Sequence, residues 1–168
     1  KKNKISKNWI NKQKRDIYVK KSKLEGYRSR AIYKLKEIDE RFRIIKNGIN
    51  IVDLGSAPGS WSQYLSEKSK NSKILSIDLK EVKEIFNVSH LIGDFLDENN
   101  QLKLTNFFKD KLDLVVSDMA VNTTGNKDLD AISTGELSIN AMNFSVKNLK
   151  NNGSFVSKIF MGSTFNEI

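Results

Sequence analysis

The sequence contains no cysteine, and its 168 residues include a single histidine, His90, and a single proline. Without cysteine, the chain can form neither disulfide bridges nor thiol nucleophiles, and zinc sites built from cysteine and histidine are excluded. With one histidine, most His-dependent catalytic triads are excluded as well. Chemistry in this chain must therefore depend on Lys, Asp, Glu, Ser and backbone groups, alone or with a bound cofactor.

Long apolar runs are also missing from the sequence. No stretch reaches about 18 consecutive apolar residues, the length that a membrane-spanning helix needs, and no signal peptide is visible. We therefore expect a cytoplasmic protein without a membrane partner. The composition of 38% apolar and 9% aromatic residues excludes disordered and fibrous classes, and the length fits one domain with its own core.

Positive charge is concentrated at one end of the chain. Residues 1–23 hold ten basic side chains and one acid, so they account for the whole net charge of +9. A neutral body with a basic end is typical of a polyanion-binding arm on a globular domain, and we assign the arm to residues 1–26 and the domain to residues 27–168. A solvated terminus is the alternative interpretation. If the source is eukaryotic, a mitochondrial transit peptide is a further interpretation, but a weaker one, because Lys outnumbers Arg in the basic segment.

Short apolar segments alternate with helical patterns along most of the chain. The spacing predicts strands over residues 51–54, 73–79, 90–92, 112–116 and 153–160, and helices over residues 27–42, 60–69, 102–108 and 131–149. Phe42 of the first helix and Val146 of the last are among the side chains expected to face the core. This order predicts an α/β fold with a Rossmann-like, doubly wound, mostly parallel sheet, in which ligands bind beyond the carboxyl ends of the strands. We expect further C-terminal strands to have been truncated, because the sequence starts without Met and stops at Ile168 after a strand-like segment.

Acidic residues lie at or near the ends of four of the predicted strands: Asp53, Asp78, Asp94 and Asp118. The first strand leads into a glycine-rich turn ending at Gly59, and Asp78 comes 19 residues later, a spacing suited to accepting hydrogen bonds from ribose hydroxyls. The turn reads Gly-x-x-x-Gly instead of the dinucleotide pattern Gly-x-Gly-x-x-Gly. That spacing disfavours a nicotinamide-dependent oxidoreductase and suits a nucleoside with a positively charged amino-acid tail. Helix N-caps would explain one or two of these acids but not all four.

Six segments resemble the FtsJ/RrmJ family of S-adenosylmethionine-dependent RNA ribose 2′-O-methyltransferases. They are YRSRAIYKL (27–35), VDLGSAPGSWSQYL (52–65), SIDL (76–79), GDF (93–95), SDMA (117–120) and GSFVSKIF (153–160). The resemblance implies a class I methyltransferase fold, S-adenosylmethionine as cofactor, and methylation of a ribose 2′-hydroxyl. The implied substrate is a uridine of large-subunit ribosomal RNA, free or in the assembled subunit, with a role in ribosome biogenesis. Transfer RNA or an mRNA cap is the alternative substrate, and a catalytically silent RNA-binding module is the alternative function.

The resemblance also implies roles for individual residues. Those implied to bind the cofactor are Gly59, Trp61, Asp78, Asp94 and Asp118. Those implied to be catalytic are Lys34, Asp118 and Lys158, three members of the family's Lys-Asp-Lys-Glu tetrad, with Lys158 as the general base. The tetrad glutamate is expected beyond Ile168, and Val121 stands where the family usually has Pro.

A lysine base must be neutral before it can accept a proton. A free lysine has a pKa of about 10.4, so reactivity near neutral pH requires a drop of roughly three units, or about 4 kcal/mol. Burial at a strand end, Lys34 and a sulfonium would lower the pKa of Lys158, whereas Asp118 would raise it while orienting the amine. Met119 and Ala120 follow Asp118 where base-methylating enzymes commonly carry an aromatic residue, which favours a hydroxyl acceptor.

Basic and aromatic residues near the start of the domain are candidates for RNA contacts. We predict phosphate contacts from Arg28, Arg30, Lys34 and the N-terminal lysines. The side chains available for stacking on bases are Trp9, Tyr18 and Tyr27, for which docking onto the domain is an equally good interpretation. We expect no metal and, by default, a monomer.

Overall fold

The computed structural model describes residues 7–120 and 125–159, which form five helices and five strands. In chain order they are α1 (Lys7–Leu24), α2 (Ile32–Phe42), β1 (Asn50–Leu54), α3 (Ser60–Lys68), β2 (Lys73–Asp78), β3 (Val88–Ile92), α4 (Glu98–Phe107), β4 (Leu112–Ser117), α5 (Lys127–Asn148) and β5 (Leu149–Ser157). All neighbouring strands of the sheet are parallel, in the order β3-β2-β1-β4-β5. The predicted doubly wound α/β sheet is thus confirmed.

Strand β1 lies at the centre of the sheet, where the strand order reverses. Leu54 pairs in register with Ile77 of β2 on one side and Ser117 of β4 on the other, and Ser117 pairs with Ser157 of β5. The carboxyl ends of four strands therefore meet at one edge. In sheets of this kind the crevice beside the reversal point is where ligands bind.

Apolar side chains of the sheet pack into two clusters, one on each face. Val52 and Leu54 belong to one cluster and Ile51 to the other, as expected for side chains that alternate across a strand. Helices cover both faces: Phe144 of α5 packs in the first cluster, and Trp61 of α3 packs in the second. Burial on both sides explains why the central strands are almost continuously apolar.

Several predicted boundaries and core positions were wrong. Helix α2 begins at Ile32 and not at residue 27, and α4 begins at Glu98 because the Asp97 carboxylate caps it by accepting the N–H of Asn99. Val146, predicted to face the core, is 74% exposed, because the inward face of α5 passes through Ala141 and Ser145, which stand four residues apart.

Phe42 is the second predicted core residue that is exposed. It ends α2, and its ring packs beside the Arg41 guanidinium, 5.2 Å from the ring centroid. Residue 160, at the end of the last predicted strand, and Val121 lie outside the described residues. Among the helices of the described part, none combines the length and the apolar character needed to cross a membrane.

Candidate active site

Backbone hydrogen bonds extend the sheet one residue past its carboxyl edge. The N–H of Asp118 donates to the Leu54 carbonyl at 3.1 Å, and the N–H of Lys158 donates to the Ser117 carbonyl at 2.9 Å. Because β5 ends at Ser157, Lys158 directly follows the strand instead of lying within it. Asp118 and Lys158 thus occupy fixed positions directly after two neighbouring strands.

Lys158 and Asp118 form a partly buried ion pair. The lysine Nζ lies 2.6 Å from Asp118 Oδ1 and donates to the Asp118 carbonyl at 3.1 Å, and the two side chains are 17% and 19% exposed. This confirms the expectation that Asp118 stands next to the Lys158 amine. It also means that the amine must give up a proton in the presence of a carboxylate before it can act as a base.

Lys34, on α2, is electrostatically coupled to this pair. Although part of the side chain is exposed, loss of solvent around its amine lowers the pKa of Lys34. Asp118 acts in the opposite direction, while the positive charges of Lys158 and Arg30 lower the pKa further. The fold therefore brings the three predicted catalytic residues into one electrostatic unit, in which Lys158 is the amine that forms the ion pair with Asp118.

Asp53 is a fully buried carboxyl group one strand away from this unit. Its Oδ2 accepts the hydroxyl hydrogen of Ser62 at 2.6 Å, whereas Oδ1 has no hydrogen-bond partner among the described residues. Burial raises the pKa of Asp53 to about 7, and the carboxylates of Asp118 and Asp78 add to the rise, while Ser62 opposes it.

Asp78 is the last residue of β2, and Asp94 follows the end of β3 by two residues. Asp78 Oδ2 accepts the N–H of Ala57 and Oδ1 accepts the N–H of Lys80, both at 2.9 Å, so this carboxylate holds the glycine-rich turn in place. Asp94 is exposed, and its Oδ1 accepts the N–H of Leu96. Each carboxylate oxygen has a second lone pair that can accept a ligand hydrogen bond.

Neighbouring protein atoms leave no room for a side chain at either glycine of the turn. A Cβ at Gly55 (φ +74°) would lie 2.5 Å from Met119 Cγ, and one at Gly59 (φ +109°) would lie 2.8–2.9 Å from atoms of Arg28, Val82 and Ile85. A glycine turn after a strand can leave room for a ligand, because glycine lacks a Cβ. In the structure, protein side chains occupy the space beside both residues.

Trp61 also has a clear structural contact. Its ring is 3% exposed within the second core cluster, and its indole N–H donates to the Ala31 carbonyl at 2.8 Å. The predicted contact of Trp61 with a cofactor stays a prediction.

The residues predicted to bind RNA fall into two groups. Arg30 and Lys34 are exposed, whereas the guanidinium of Arg28 donates to three backbone carbonyls. Tyr18 packs against Tyr33 with a centroid distance of 5.2 Å, and the Tyr27 hydroxyl donates to Glu67, so both of these aromatic side chains contact the domain. The side chain of Trp9 lies outside the described residues.

Sequence reasoning missed the polar contacts that support the turn. Ser62 binds the buried carboxylate of Asp53, and the hydroxyls of Ser29 and Ser60 are hydrogen-bonded with their oxygens 2.6 Å apart. The signal in the sequence was the alternation of serine with a tryptophan at the start of α3, in Ser60, Trp61 and Ser62. Within residues 7–120 and 125–159, no cluster of three or more His, Asp or Glu side chains could hold a metal ion.

Comparison with known proteins gives consistent matches. The family model of FtsJ-like methyltransferases matches residues 27–168. "Ribosomal RNA large subunit methyltransferase E" of Pelagibacter ubique (strain HTCC1062) is 62% identical over 168 residues, which cover 100% of this chain and 83% of that protein. The protein of the same name from Rickettsia akari (strain Hartford) is 46% identical, with 96% of this chain and 74% of that protein covered.

Solved structures show the same fold. A ribosomal RNA methyltransferase from Plasmodium falciparum is 35% identical and superposes with a TM-score of 0.78, covering 84% of this chain and 82% of that chain. The methyltransferase MycE superposes with a TM-score of 0.52 over 75% of this chain and 32% of that chain. At 15% identity, the similarity to MycE shows the fold alone.

Proposed function

Because the chain belongs to the family of FtsJ-like methyltransferases, we propose that it transfers the methyl group of S-adenosylmethionine to a ribose 2′-hydroxyl of large-subunit ribosomal RNA, at a uridine. The observation that carries this proposal is the Lys158–Asp118 pair, with Lys34 coupled to it, at the carboxyl edge of a doubly wound sheet. The names of the relatives from Pelagibacter and Rickettsia support ribosomal RNA as the substrate. We further propose a monomer acting in the cytoplasm, with residues 1–26 as an RNA-contacting arm.

The chemistry of the carboxylates fits S-adenosylmethionine. Asp78, at the end of β2, offers acceptors for the ribose hydroxyls of this molecule. Asp94, exposed after β3, would accept from the adenine amino group. When bound, the cofactor supplies an electrophilic methyl group on a sulfonium.

Lys158 is the residue that would receive the proton of the ribose hydroxyl. Neutral Nζ accepts this proton, and Asp118 holds the amine in place through both its carboxylate and its carbonyl. Lys34 adds a second positive charge beside this pair. Arg30 and Lys34, which are both exposed, would hold the RNA backbone so that the hydroxyl is aligned for reaction.

Methyl transfer can be tested with tritiated S-adenosylmethionine. The protein is incubated with large ribosomal subunits, total ribosomal RNA or transfer RNA, and the label is located by nuclease mapping. We expect label on a ribose 2′-oxygen of large-subunit RNA. Label on transfer RNA alone would contradict the proposed substrate, and cofactor binding without transfer to any RNA would favour a silent RNA-binding module.

The role of Lys158 is tested with Lys158→Ala. Transfer should be lost, while the affinity for S-adenosylhomocysteine changes by no more than about threefold, because the amine acts on the acceptor. Lys36→Ala is the matched control, since this lysine lies on α2 two residues from Lys34, and it should retain activity. Loss of both transfer and cofactor affinity in Lys158→Ala would make Lys158 a structural residue.

A further inference from the structure

A short segment before α2 lies along the glycine-rich turn and the start of α3. Residues 26–31 contact residues 58–67 through a series of polar contacts, in addition to those of Ser29 and Trp61. The Gln63 side chain donates to the Gly26 carbonyl at 3.0 Å, and the Tyr27 hydroxyl donates to Glu67 at 2.9 Å. The segment is thus bound along its whole length to the part of the chain that follows β1.

Arg28 makes the most extensive contact in this segment. Its Nη1 donates to the Pro58 carbonyl at 3.1 Å and to the Lys83 carbonyl at 2.8 Å, and its Nη2 donates to the Glu84 carbonyl at 2.8 Å. One planar guanidinium therefore joins the turn between β1 and α3 to the connection between β2 and β3. A lysine could not do this, because its single ammonium cannot span carbonyls fixed in three positions.

Packing around Gly59 shows how closely these two segments approach. A Cβ on Gly59 would lie 2.8 Å from Arg28 Nη1 and 2.9 Å from the side chains of Val82 and Ile85. Val82 is buried, at 8% exposure. The guanidinium therefore contacts the turn from one side, while Asp78 holds it from the strand side through the N–H of Ala57.

We propose that Arg28 is a positioning residue for the cofactor site and not a phosphate contact. It fixes the turn of residues 55–59 against residues 80–87, so that the groups on these segments keep the spacing that the cofactor requires. Arg30, two residues further on, is exposed and remains available to RNA. This inference rests on the proposed function, because it assigns the cofactor to the turn.

The test compares Arg28→Lys and Arg28→Ala with Arg30→Ala as the matched control. Calorimetry with S-adenosylhomocysteine should show a Kd about tenfold higher for both Arg28 variants, because lost hydrogen bonds of a charged donor weaken the turn. Their RNA affinity and its salt dependence should be unchanged. In Arg30→Ala, the salt slope should fall by about one while the Kd for S-adenosylhomocysteine stays within twofold.

Amide hydrogen exchange on the ligand-free variants gives a readout that needs neither cofactor nor activity. Exchange should become faster in residues 55–60 and 80–88 of both Arg28 variants and stay unchanged elsewhere. If Arg28→Ala does not fold, Arg28→Lys carries the test, because it retains the charge and most of the side chain.

Two results would overturn the proposal. One is a lower salt slope with unchanged cofactor affinity in Arg28→Ala, which would make Arg28 a phosphate contact. The other is an Arg28→Lys variant that behaves as the wild type, which would mean that charge alone suffices. If the wild type does not bind S-adenosylhomocysteine at all, the proposed function fails, while the exchange experiment still decides whether Arg28 holds the two segments together.

Discussion

Replacing Asp53 by Asn tests the electrostatics of the candidate site without any ligand. Asp53 is 0% exposed, and its pKa is raised to about 7, mainly by burial. Asn has nearly the same shape and can still accept the Ser62 hydrogen bond, but it cannot ionise. The variant therefore removes the buried negative charge, and any cost of burying its amide N–H groups is independent of pH and drops out of the pH dependence.

The size and sign of the effect follow from the difference between the folded and unfolded pKa. The folded value is about 7, and an unfolded aspartate has a pKa of about 3.9. Folding thus favours the protonated carboxyl, and the wild type loses stability as pH rises from about 4 to about 7. The free energy of unfolding of Asp53→Asn, relative to that of the wild type, should increase by about 2.5 kcal/mol from pH 5 to pH 8.

Urea unfolding of both proteins at pH 5, 6, 7 and 8 measures this difference, provided that the slopes with urea agree. Subtraction at each pH cancels the titration of all groups that the two proteins share. The stability of Ser62→Ala should depend on pH more strongly than that of the wild type, because the Ser62 hydrogen bond keeps the pKa of Asp53 from rising further. A difference between Asp53→Asn and wild type that varies by less than about 0.5 kcal/mol over this range would refute the reasoning.

Three further predictions concern the turn and the basic arm. Gly55→Ala should lower the free energy of unfolding, measured with urea, by about 2–4 kcal/mol, because its Cβ would overlap Met119 in addition to the strain at φ +74°. The matched variant Gly26→Ala, at φ +78° with open space around it, should lower it by only about 1 kcal/mol. Equal losses would contradict the packing argument. Asp78→Ala should weaken S-adenosylhomocysteine binding in calorimetry by at least about tenfold, since the Ala57 N–H loses its acceptor; unchanged affinity would remove Asp78 from the cofactor site. Neutralising several lysines within residues 1–23 should reduce the salt dependence of RNA binding in filter assays, and an unchanged slope would exclude the arm from the RNA site.

Local patterns were sufficient for the family and for the positions of the acids. The resemblance of the six segments to the FtsJ/RrmJ family is confirmed by the match over residues 27–168. The pairing of Lys158 with Asp118 could also be anticipated, because consecutive β-α-β units place strand ends together. Core positions on a long helix are harder to predict. The prediction for Val146 was wrong because an error of one residue in the position of the helix face turns a side chain by about 100°.

The sequence by itself determined the alternation of strands and helices, the edge at which the acids gather, and the family. These depend on periodicity and on turns, which are properties of neighbouring residues. Only the tertiary structure decided which of two arginines binds backbone carbonyls and which is exposed. Arg28 and Arg30 are alike in the sequence, but the carbonyls that Arg28 binds lie 30 to 56 residues away. In the same way, the unpartnered oxygen of Asp53 and the filled space beside Gly59 result from contacts between distant segments, which no local pattern encodes.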